Sequence, residues 1–495
     1  MASCKLENLC LTQSGEFVLF QSHNRILHHD MNELNSRPFV FVQGSTIDSN
    51  RGNFYIRHIN GDLVFEKSHP HNHTMAFVTR IKKKESECGQ QDYFCESQVE
   101  EEYHYDPIAL SPNFTYYEKP VYALQRYAAG NIGHIFAESL AMIMGLMMNF
   151  NHPFVEMETL RENHVLFLDD LFDLSGENWR GAFGYDSTKA EHYSLLTMQL
   201  ITKNPMLQLC SRDGIWRIEN APCRIMSTLE NPRMTESISS MTLDSCFSNI
   251  YMGHTISNLV LHPYGKEGLF MKLREFIYRN LRIFPFDQTY SISQKKKQFK
   301  RYLLEKDIVI ALHQKDKKGR HGQSFHNSEE FLNYLQLELP KQPFIQQLMQ
   351  KNKTLQRRTL KFDIIDFSKF PSIADQVKYF ANVDVYITDP GSAAYYSLFF
   401  REDTTVFLPP TCHRLGREIH CFTSHGKLVL SSLPNIQMLD MMELNGNQAQ
   451  CNFRPAPDMY FNCNYKLPLK LMLNQVMKAL KKRYRMVLTE FTELD

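Results

Sequence analysis

The 495-residue chain has little net charge of either sign, because 55 Lys and Arg residues are balanced by 54 Asp and Glu residues and the net charge is +1. This balance gives no reason to expect nucleic acid or an anionic membrane as a partner. The chain also lacks the run of about 18 uninterrupted apolar residues that a membrane helix requires. Its best candidate, 135–148, is interrupted by Glu138 and Gly145 and predicts a buried helix.

Several catalytic and nucleotide-binding sequence motifs are missing as well. There is no G-x-S-x-G, no P-loop and no G-x-G-x-x-G, which argues against a nucleotide-sugar epimerase or dehydrogenase. No D-x-D pair stands in a context that would hold a metal, and the 69–73 histidine cluster fits a flexible loop better than a metal site. We therefore expect no metal and no other cofactor.

The first residues lack the charged and then apolar layout of a signal peptide. We expect either a cytosolic protein or one whose anchor lies outside the numbered chain. Eleven cysteines leave the compartment open, and their odd number leaves at least one thiol unpaired within a monomer. Four close pairs in loop-like sequence suit disulfides: Cys4 with Cys10, Cys88 with Cys95, Cys412 with Cys421, and Cys451 with Cys463.

The length predicts two or three packed units. Short alternating runs predict a mostly β leader, and mixed elements after it predict an α/β domain. The basic run at 295–301 is interpreted as a solvated linker. The predicted division is a mostly β leader at 1–115, an α/β domain at 116–300, a second α/β domain at 301–455 and a C-terminal segment at 456–495. A helix over 468–488 in that last segment has one apolar stripe and is expected to return to the first domain.

The clearest pattern begins at residue 301. Ile308 opens a continuous apolar run that is typical of a buried parallel strand. Strands and helices then alternate with short loops, which predicts a parallel sheet covered on both faces. Asn327 and Glu330 are interpreted as a capping box at a helix start. The predicted strands are 308–312, 362–367, 383–388 and 405–408, and the predicted helices are 327–337, 373–380 and 393–400.

Two groups of polar residues follow strands of this predicted sheet. The first runs from His313 to Arg320, and the second is Asp389-Pro390-Gly391-Ser392. Parallel sheets bind ligands at the carboxyl ends of their strands, so both groups are expected on one rim. Basic side chains and free backbone N–H groups there suit a diphosphate. Taken singly, the groups also fit an exposed charged loop and an ordinary turn with a Ser N-cap.

A third constellation lies in an apolar helix. His134 and Glu138 are four residues apart, which puts them on one helical face. Burying an ionisable pair is costly, so either a buried His–Glu hydrogen bond or a functional pair would explain them. The residues alone leave both interpretations open.

At these residues the sequence resembles glycosyltransferase family 61, which includes protein O-linked N-acetylglucosamine transferases and plant xylosyl- and arabinosyltransferases. The resemblance covers roughly 4–410 and is moderately specific in combination. The matching segments are Cys4 to Cys10, Asn131 to Glu138 (the N-x-x-H motif with its acidic follower), Cys246 to Gly253, Arg320 through Asn327 and Glu330, and Gln376. The chain departs from the family in two places. His313 stands where the family has Arg, and Pro390-Gly391-Ser392 stands where it has His-Gly-Ala.

The resemblance implies an α/β fold of the GT-B type, with two Rossmann-like domains facing a cleft. The domain at 116–300 would be the acceptor-side domain, and the domain at 301–455 would bind the nucleotide-sugar. It implies an inverting, metal-independent transfer of N-acetylglucosamine or xylose from a UDP-sugar to a protein or glycan hydroxyl in the ER or Golgi lumen. Glu138 or His134 would act as the base, with Asn131 on the acceptor side. His313, Arg320, Asp389, Gly391 and Ser392 would bind the donor. The alternative is a catalytically silent GT-B protein that binds glycan or a partner.

Overall fold

The computed structural model describes residues 4–21, 39–40, 53–54, 56–60, 62–65, 76–83, 101–124, 132–150, 161–168, 197–212, 214–220, 241–252, 267–283, 292–314, 325–350, 359–389, 391–415, 418–423, 427, 430–441, 449–451 and 463–489. The chain divides into two compact units. The first comprises 1–131 with 138–257, and the second comprises 132–137 with 258–495. The predicted division into acceptor-side and nucleotide-sugar domains concerns ligands, and it stays a prediction.

The first unit contains a mixed sheet in which eleven of the described strands take part. Its central strands β13, β9, β10 and β11 are parallel neighbours, while β1 runs antiparallel to β13. The described strands of this unit are β1 (Cys4–Thr12), β2 (Phe17–Gln21), β3 (Phe39–Val40), β4 (Asn53–Phe54), β5 (Ile56–Asn60), β6 (Asp62–Phe65), β7 (Ala76–Lys83), β8 (Glu101–Tyr117), β9 (Val121–Leu124), β10 (His164–Phe167), β11 (Leu207–Arg212), β12 (Ile215–Asn220) and β13 (Thr242–Met252).

The apolar stretch 135–148 is a buried helix, as predicted. We name the whole helix over 132–150 α1. It has an α-helical turn (Ile132–His134), a π-helical segment (Ile135–Leu140) and a second α-helical part (Ala141–Phe150). The last part lies against β9 and β13. No helix in the described ranges is both long and apolar enough to cross a membrane.

The second unit is built on a five-stranded sheet whose order is β15-β14-β16-β17-β20, and every neighbouring pair is parallel. The α/β class and the parallel sheet predicted from residue 301 onward are confirmed, while the GT-B arrangement stays a prediction. The strands of this unit are β14 (Ile308–His313), β15 (Leu360–Ile365), β16 (Val385–Ile387), β17 (Thr404–Leu408), β18 (Thr411–Leu415), β19 (Glu418–Phe422), β20 (Ile436–Asp440), β21 (Ala449–Cys451) and β22 (Cys463–Tyr465).

The described residues include six further α-helices of the second unit. They are α2 (Glu267–Asn280), α3 (Ile292–Glu305), α4 (Ser328–Glu338), α5 (Pro343–Gln350), α6 (Ile373–Phe380) and α7 (Leu469–Thr489). The basic run at 295–301 lies within α3, so its interpretation as a linker is wrong. Apolar residues spaced one turn apart in α3, such as Phe299 and Leu303, pack into the core of this unit.

The apolar stripe predicted for α7 is confirmed, since Met472, Val476 and Leu480 are almost fully buried. They contribute to the core of the second unit, and α7 lies against α3, α4, β16 and β17. The helix thus packs on the sheet of its own unit, and its return to the first domain stays a prediction. Arg483 on the same helix is buried as well, although charged side chains are mostly exposed.

Arg483 is buried because Asp384 lies beside it, just before β16. Arg483 Nε lies 2.5 Å from Asp384 Oδ1, and Lys306 Nζ lies 2.6 Å from Asp384 Oδ2. Asp384 also accepts hydrogen bonds from the Val309 N–H at 2.8 Å and the Tyr484 hydroxyl at 2.9 Å. Burial alone would raise the pKa of Asp384, but the charges of Lys306 and Arg483 outweigh it and lower the pKa.

The cysteine predictions have different outcomes. Cys412 and Cys421 form the predicted disulfide across the β18–β19 hairpin. The Cys4–Cys10 pairing is wrong, because Cys10 bonds to Cys246, its direct partner in the antiparallel β1–β13 register. Cys451 lies opposite Cys463 in the β21–β22 pair, and the pairing of Cys88 with Cys95 falls outside the described residues.

Candidate active site

The candidate site lies at the carboxyl edge of the parallel sheet in the second unit. His313 is the last residue of β14, and Asp389 follows the neighbouring strand β16 by two residues. Because the two strands are parallel neighbours, their ends meet at one edge. There, Nδ1 of His313 lies 2.7 Å from Oδ1 of Asp389. The structure therefore brings two of the predicted donor-binding residues into direct contact.

Both side chains of this pair are well enclosed. The side chain of Asp389 is 3% exposed, and that of His313 is 12% exposed. Thr388 lies next to them, with its hydroxyl 3.5 Å from Nδ1 of His313 and donating to the Asp389 carbonyl at 3.2 Å. A buried carboxylate that holds one imidazole nitrogen leaves the other nitrogen to meet a ligand.

An aromatic stack supports the ring of His313. Phe367 follows β15 in the short 3-10 helix Phe367–Lys369, and its ring centroid lies 5.0 Å from that of His313. Behind Phe367, the ring of Tyr396 stacks at 4.9 Å. The Tyr396 hydroxyl donates to Oε1 of Gln376 in α6. Sequence reasoning missed Phe367 and Tyr396, although Phe367 ends the predicted strand 362–367 on the same rim.

Gly391 adopts a backbone conformation that only glycine enters readily. Its φ is 151° and its ψ is −162°. It precedes the 3-10 helix Ser392–Phe399, which was predicted as a short helix at 393–400. The Gly391 carbonyl accepts a hydrogen bond from the Ala394 N–H at 3.1 Å. The N–H groups at the start of a helix, such as that of Ser392 here, can donate hydrogen bonds to an anion.

The residues after β14 also contact the start of α4. The Ser328 hydroxyl donates to Oε1 of Gln314. Asn327 occupies the N-cap position of α4, but its side chain does not cap the helix, so the predicted capping box with Glu330 is wrong. Instead, Asn327 Nδ2 donates to the Leu467 carbonyl at 3.0 Å, and Oδ1 accepts from the Leu467 N–H at 2.8 Å.

The start of α1 belongs to the second unit. Its first turn, Ile132–His134, lies against the 3-10 helix Ser392–Phe399. The ring of Phe136 makes edge-to-face contacts with Tyr396 at 5.1 Å and Phe399 at 5.0 Å. The first turn of α1 and the 3-10 helix that follows Gly391 are therefore neighbours, which the sequence alone did not predict. The side chains of His134 and Glu138, and the whole of Asn131 and Arg320, lie outside the described residues.

With this geometry in place, the comparison with known families decides the class of protein. A family model described as Glycosyltransferase 61 matches residues 132–407, which is more than half of the chain. The chain belongs to glycosyltransferase family 61. A search of curated proteins finds no significant match.

As a member of family 61 the chain is a glycosyltransferase, so its partners are a sugar donor and an acceptor. The match begins at the first residue of α1 and ends within β17. It therefore contains the start of α1, the His313–Asp389 pair and the Gly391 turn. No three His, Cys, Asp or Glu residues are grouped as metal ligands in the described ranges.

Proposed function

We propose that this family 61 protein transfers N-acetylglucosamine or xylose from a UDP-sugar to a hydroxyl of a protein or glycan. The reaction is an inverting single displacement without a metal ion, in a GT-B arrangement of two domains. The observation that carries this proposal is the carboxyl edge of the parallel sheet, where His313 contacts Asp389, two residues before Gly391 in the chain. This is the place at which open α/β sheets bind nucleotides.

The donor diphosphate requires neutralising groups because it leaves with negative charge. His313 offers a ring nitrogen, and the turn at Gly391 offers N–H groups at the start of a 3-10 helix. Ser392 opens that helix. We assign Arg320, which follows β14 in the chain, as a further donor contact because its planar fork matches phosphate oxygens.

The acceptor hydroxyl must lose a proton as it attacks the anomeric carbon, so the reaction needs a base. We assign this role to Glu138 or His134 in the first turns of α1, with Asn131 on the acceptor side. The support is positional, because the first turn of α1 lies against the helix that Gly391 precedes. A base near that helix would be close to a sugar whose diphosphate occupies the turn.

Two disulfides support a place in an oxidising compartment. Cys10–Cys246 joins residues that are 236 positions apart, and Cys412–Cys421 closes a hairpin. Disulfides of this kind persist in secretory compartments and are rare in the cytosol. We therefore propose the ER or Golgi lumen.

The test measures donor binding and donor hydrolysis, because transfer to water needs no identified acceptor. Wild type, Glu138→Gln and His134→Ala are compared with UDP-N-acetylglucosamine and UDP-xylose by calorimetry and UDP release. The base variant should keep its Kd and lose about 10²- to 10⁴-fold in rate. Glu329→Gln, which changes an exposed carboxylate in the first turn of α4, is the matched control.

If wild type binds neither donor, the donor assignment fails. Tight binding without any turnover would refute the transfer reaction and favour a protein that only binds glycan or a partner. If both variants retain the wild-type rate, the base lies elsewhere.

A further inference from the structure

The imidazole of His313 has one nitrogen engaged and one available. Nδ1 lies 2.7 Å from the carboxylate of Asp389, which is 2% exposed as a residue. An ionised carboxylate only accepts hydrogen bonds, so Nδ1 carries a proton in this arrangement. In the part of the chain that the structure describes, Nε2 has no polar partner. The contact with Asp389 thus fixes the ring of His313 and leaves Nε2 as the nitrogen that can bind a ligand.

The surroundings hold the ring in this orientation. Thr388 and Asp389 approach it from the end of β16, and Phe367 packs on it from the helix after β15. Asp389 is the charged group that the described structure places against the ring. Two charged residues close to Phe367 in the chain, Asp366 and Lys369, are exposed and pair with each other, with Lys369 Nζ 3.9 Å from Asp366 Oδ2.

We propose that His313 binds the donor as an imidazolium, donating Nε2–H to an oxygen of the diphosphate, and that Asp389 is its positioning residue. This inference rests on the proposed function and adds the protonation state. A diphosphate at the Gly391 turn lies at the same sheet edge as this nitrogen. The carboxylate behind the ring stabilises the imidazolium, while the N–H in front pairs with the phosphate charge.

Donor affinity then depends on pH in a direction that can be stated. Loss of the ring proton removes the positive charge, so we expect the donor affinity to be greater at pH 5.5 than at pH 8.5. Losing a charge-assisted hydrogen bond to the diphosphate should lower the donor affinity by about 10- to 100-fold. UDP-sugar is the required probe because its diphosphate is esterified at both ends. In free UDP the terminal phosphate would itself lose a proton at about pH 6, which would add a second pH dependence to the measured affinity.

The experiment measures the Kd of UDP-N-acetylglucosamine from pH 5.5 to 8.5 for wild type and three variants. His313→Arg keeps a permanent cation, so its affinity should be retained and independent of pH. His313→Gln should bind at all pH values as weakly as wild type does at pH 8.5. Asp389→Asn, which keeps the shape of the side chain, should move the loss of affinity to lower pH. His420→Gln, on the exposed hairpin strand β19, is the control for loss of a histidine.

The outcomes separate this inference from the proposed function. If wild type binds no UDP-sugar at any pH, both fail. If it binds equally well from pH 5.5 to 8.5, only the imidazolium is refuted. Flat binding with a rate that rises with pH and is lost in His313→Gln would make His313 a base, and would also refute the inference. Thermal melting of each variant shows whether a loss of binding reflects unfolding, and the gain of pH independence in His313→Arg cannot arise from unfolding.

Discussion

Replacing the buried carboxylate of Asp384 should lower the free energy of unfolding by a large amount. Its side chain is fully buried between two cations, Lys306 from the end of α3 and Arg483 from α7. Asp384→Asn keeps the shape but leaves both cations without a counter-charge. Removing one partner of a buried ion pair costs about 3–5 kcal/mol, a large fraction of the roughly 5–15 kcal/mol that stabilises a typical protein.

The assay has to report on the second unit. Both tryptophans, Trp179 and Trp216, belong to the first unit, so their fluorescence would report on the wrong part of the chain. Hydrogen exchange of peptides from α7 and β16, measured at increasing urea concentration, reports on the opening of the second unit. The exposed pair Lys341–Glu338 serves as a control, since Glu338→Gln should cost less than about 1 kcal/mol.

Two further measurements test the reasoning. The pKa of Asp384 is lowered in the folded protein, so its contribution is present above about pH 3.9, the ordinary value for Asp, and is lost only as pH falls through the lower folded pKa. The deficit of Asp384→Asn should therefore be constant between pH 5 and 8. Because Asp384 and Arg483 are in contact, the double variant with Arg483→Met should cost less than the sum of the single variants. A cost below about 1 kcal/mol for Asp384→Asn, or strict additivity, would refute this account.

Three other changes have expected outcomes. Gly391→Ala meets no atom within 4 Å of its new Cβ, so its cost is backbone strain of about 1–3 kcal/mol, seen as a lower Tm together with weaker donor binding in calorimetry. Asn327→Ala leaves the N–H and carbonyl of Leu467 without their partners, and urea denaturation should show a loss of about 1–3 kcal/mol for each group. Replacing Cys10 and Cys246 together by Ser removes a cross-link between residues 236 positions apart and should cost up to about 5 kcal/mol in thermal melting, with dithiothreitol lowering the Tm of wild type by more than that of the variant, which keeps Cys412–Cys421.

The sheet of the second unit was predictable from local pattern. The continuous apolar run at 308–312 is typical of a strand buried on both faces, and the structure has the strand Ile308–His313 there. The helix Ile373–Phe380 has its predicted bounds because Ser372 caps it, with its hydroxyl accepting from the Asp375 N–H. Elements whose signals lie within ten residues of each other are thus recovered from sequence.

The errors arose where a distant partner decides the outcome. Asn327 has the sequence of an N-cap, but Leu467, 140 residues away, takes both of its side-chain hydrogen bonds. Cys10 has a close neighbour in sequence, yet the β1–β13 register places Cys246 directly opposite. Arg483 looks like a solvated charge until Asp384 is found beside it. A sequence read locally contains none of these pairings.

The candidate site was predicted in part. His313 and Asp389 were expected on one rim, and the rim exists because β14 and β16 are parallel neighbours. Their direct hydrogen bond depends on side-chain directions that spacing does not give. Phe367 was missed because a single aromatic residue after a strand is as common in cores as in sites.

The division of α1 between the two units has a consequence for chain connectivity. Phe136 contacts Tyr396 and Phe399, so the second unit completes its aromatic cluster with a ring that precedes the rest of that unit by more than 100 residues. Contacts of such long sequence separation form late, because a large loop must close first. A fragment that starts at 258 would lack this ring and would have to fold with a gap against Tyr396. No single cut in the chain separates the two units. A fragment that contains only one unit would therefore separate α1 from part of the structure that it packs against.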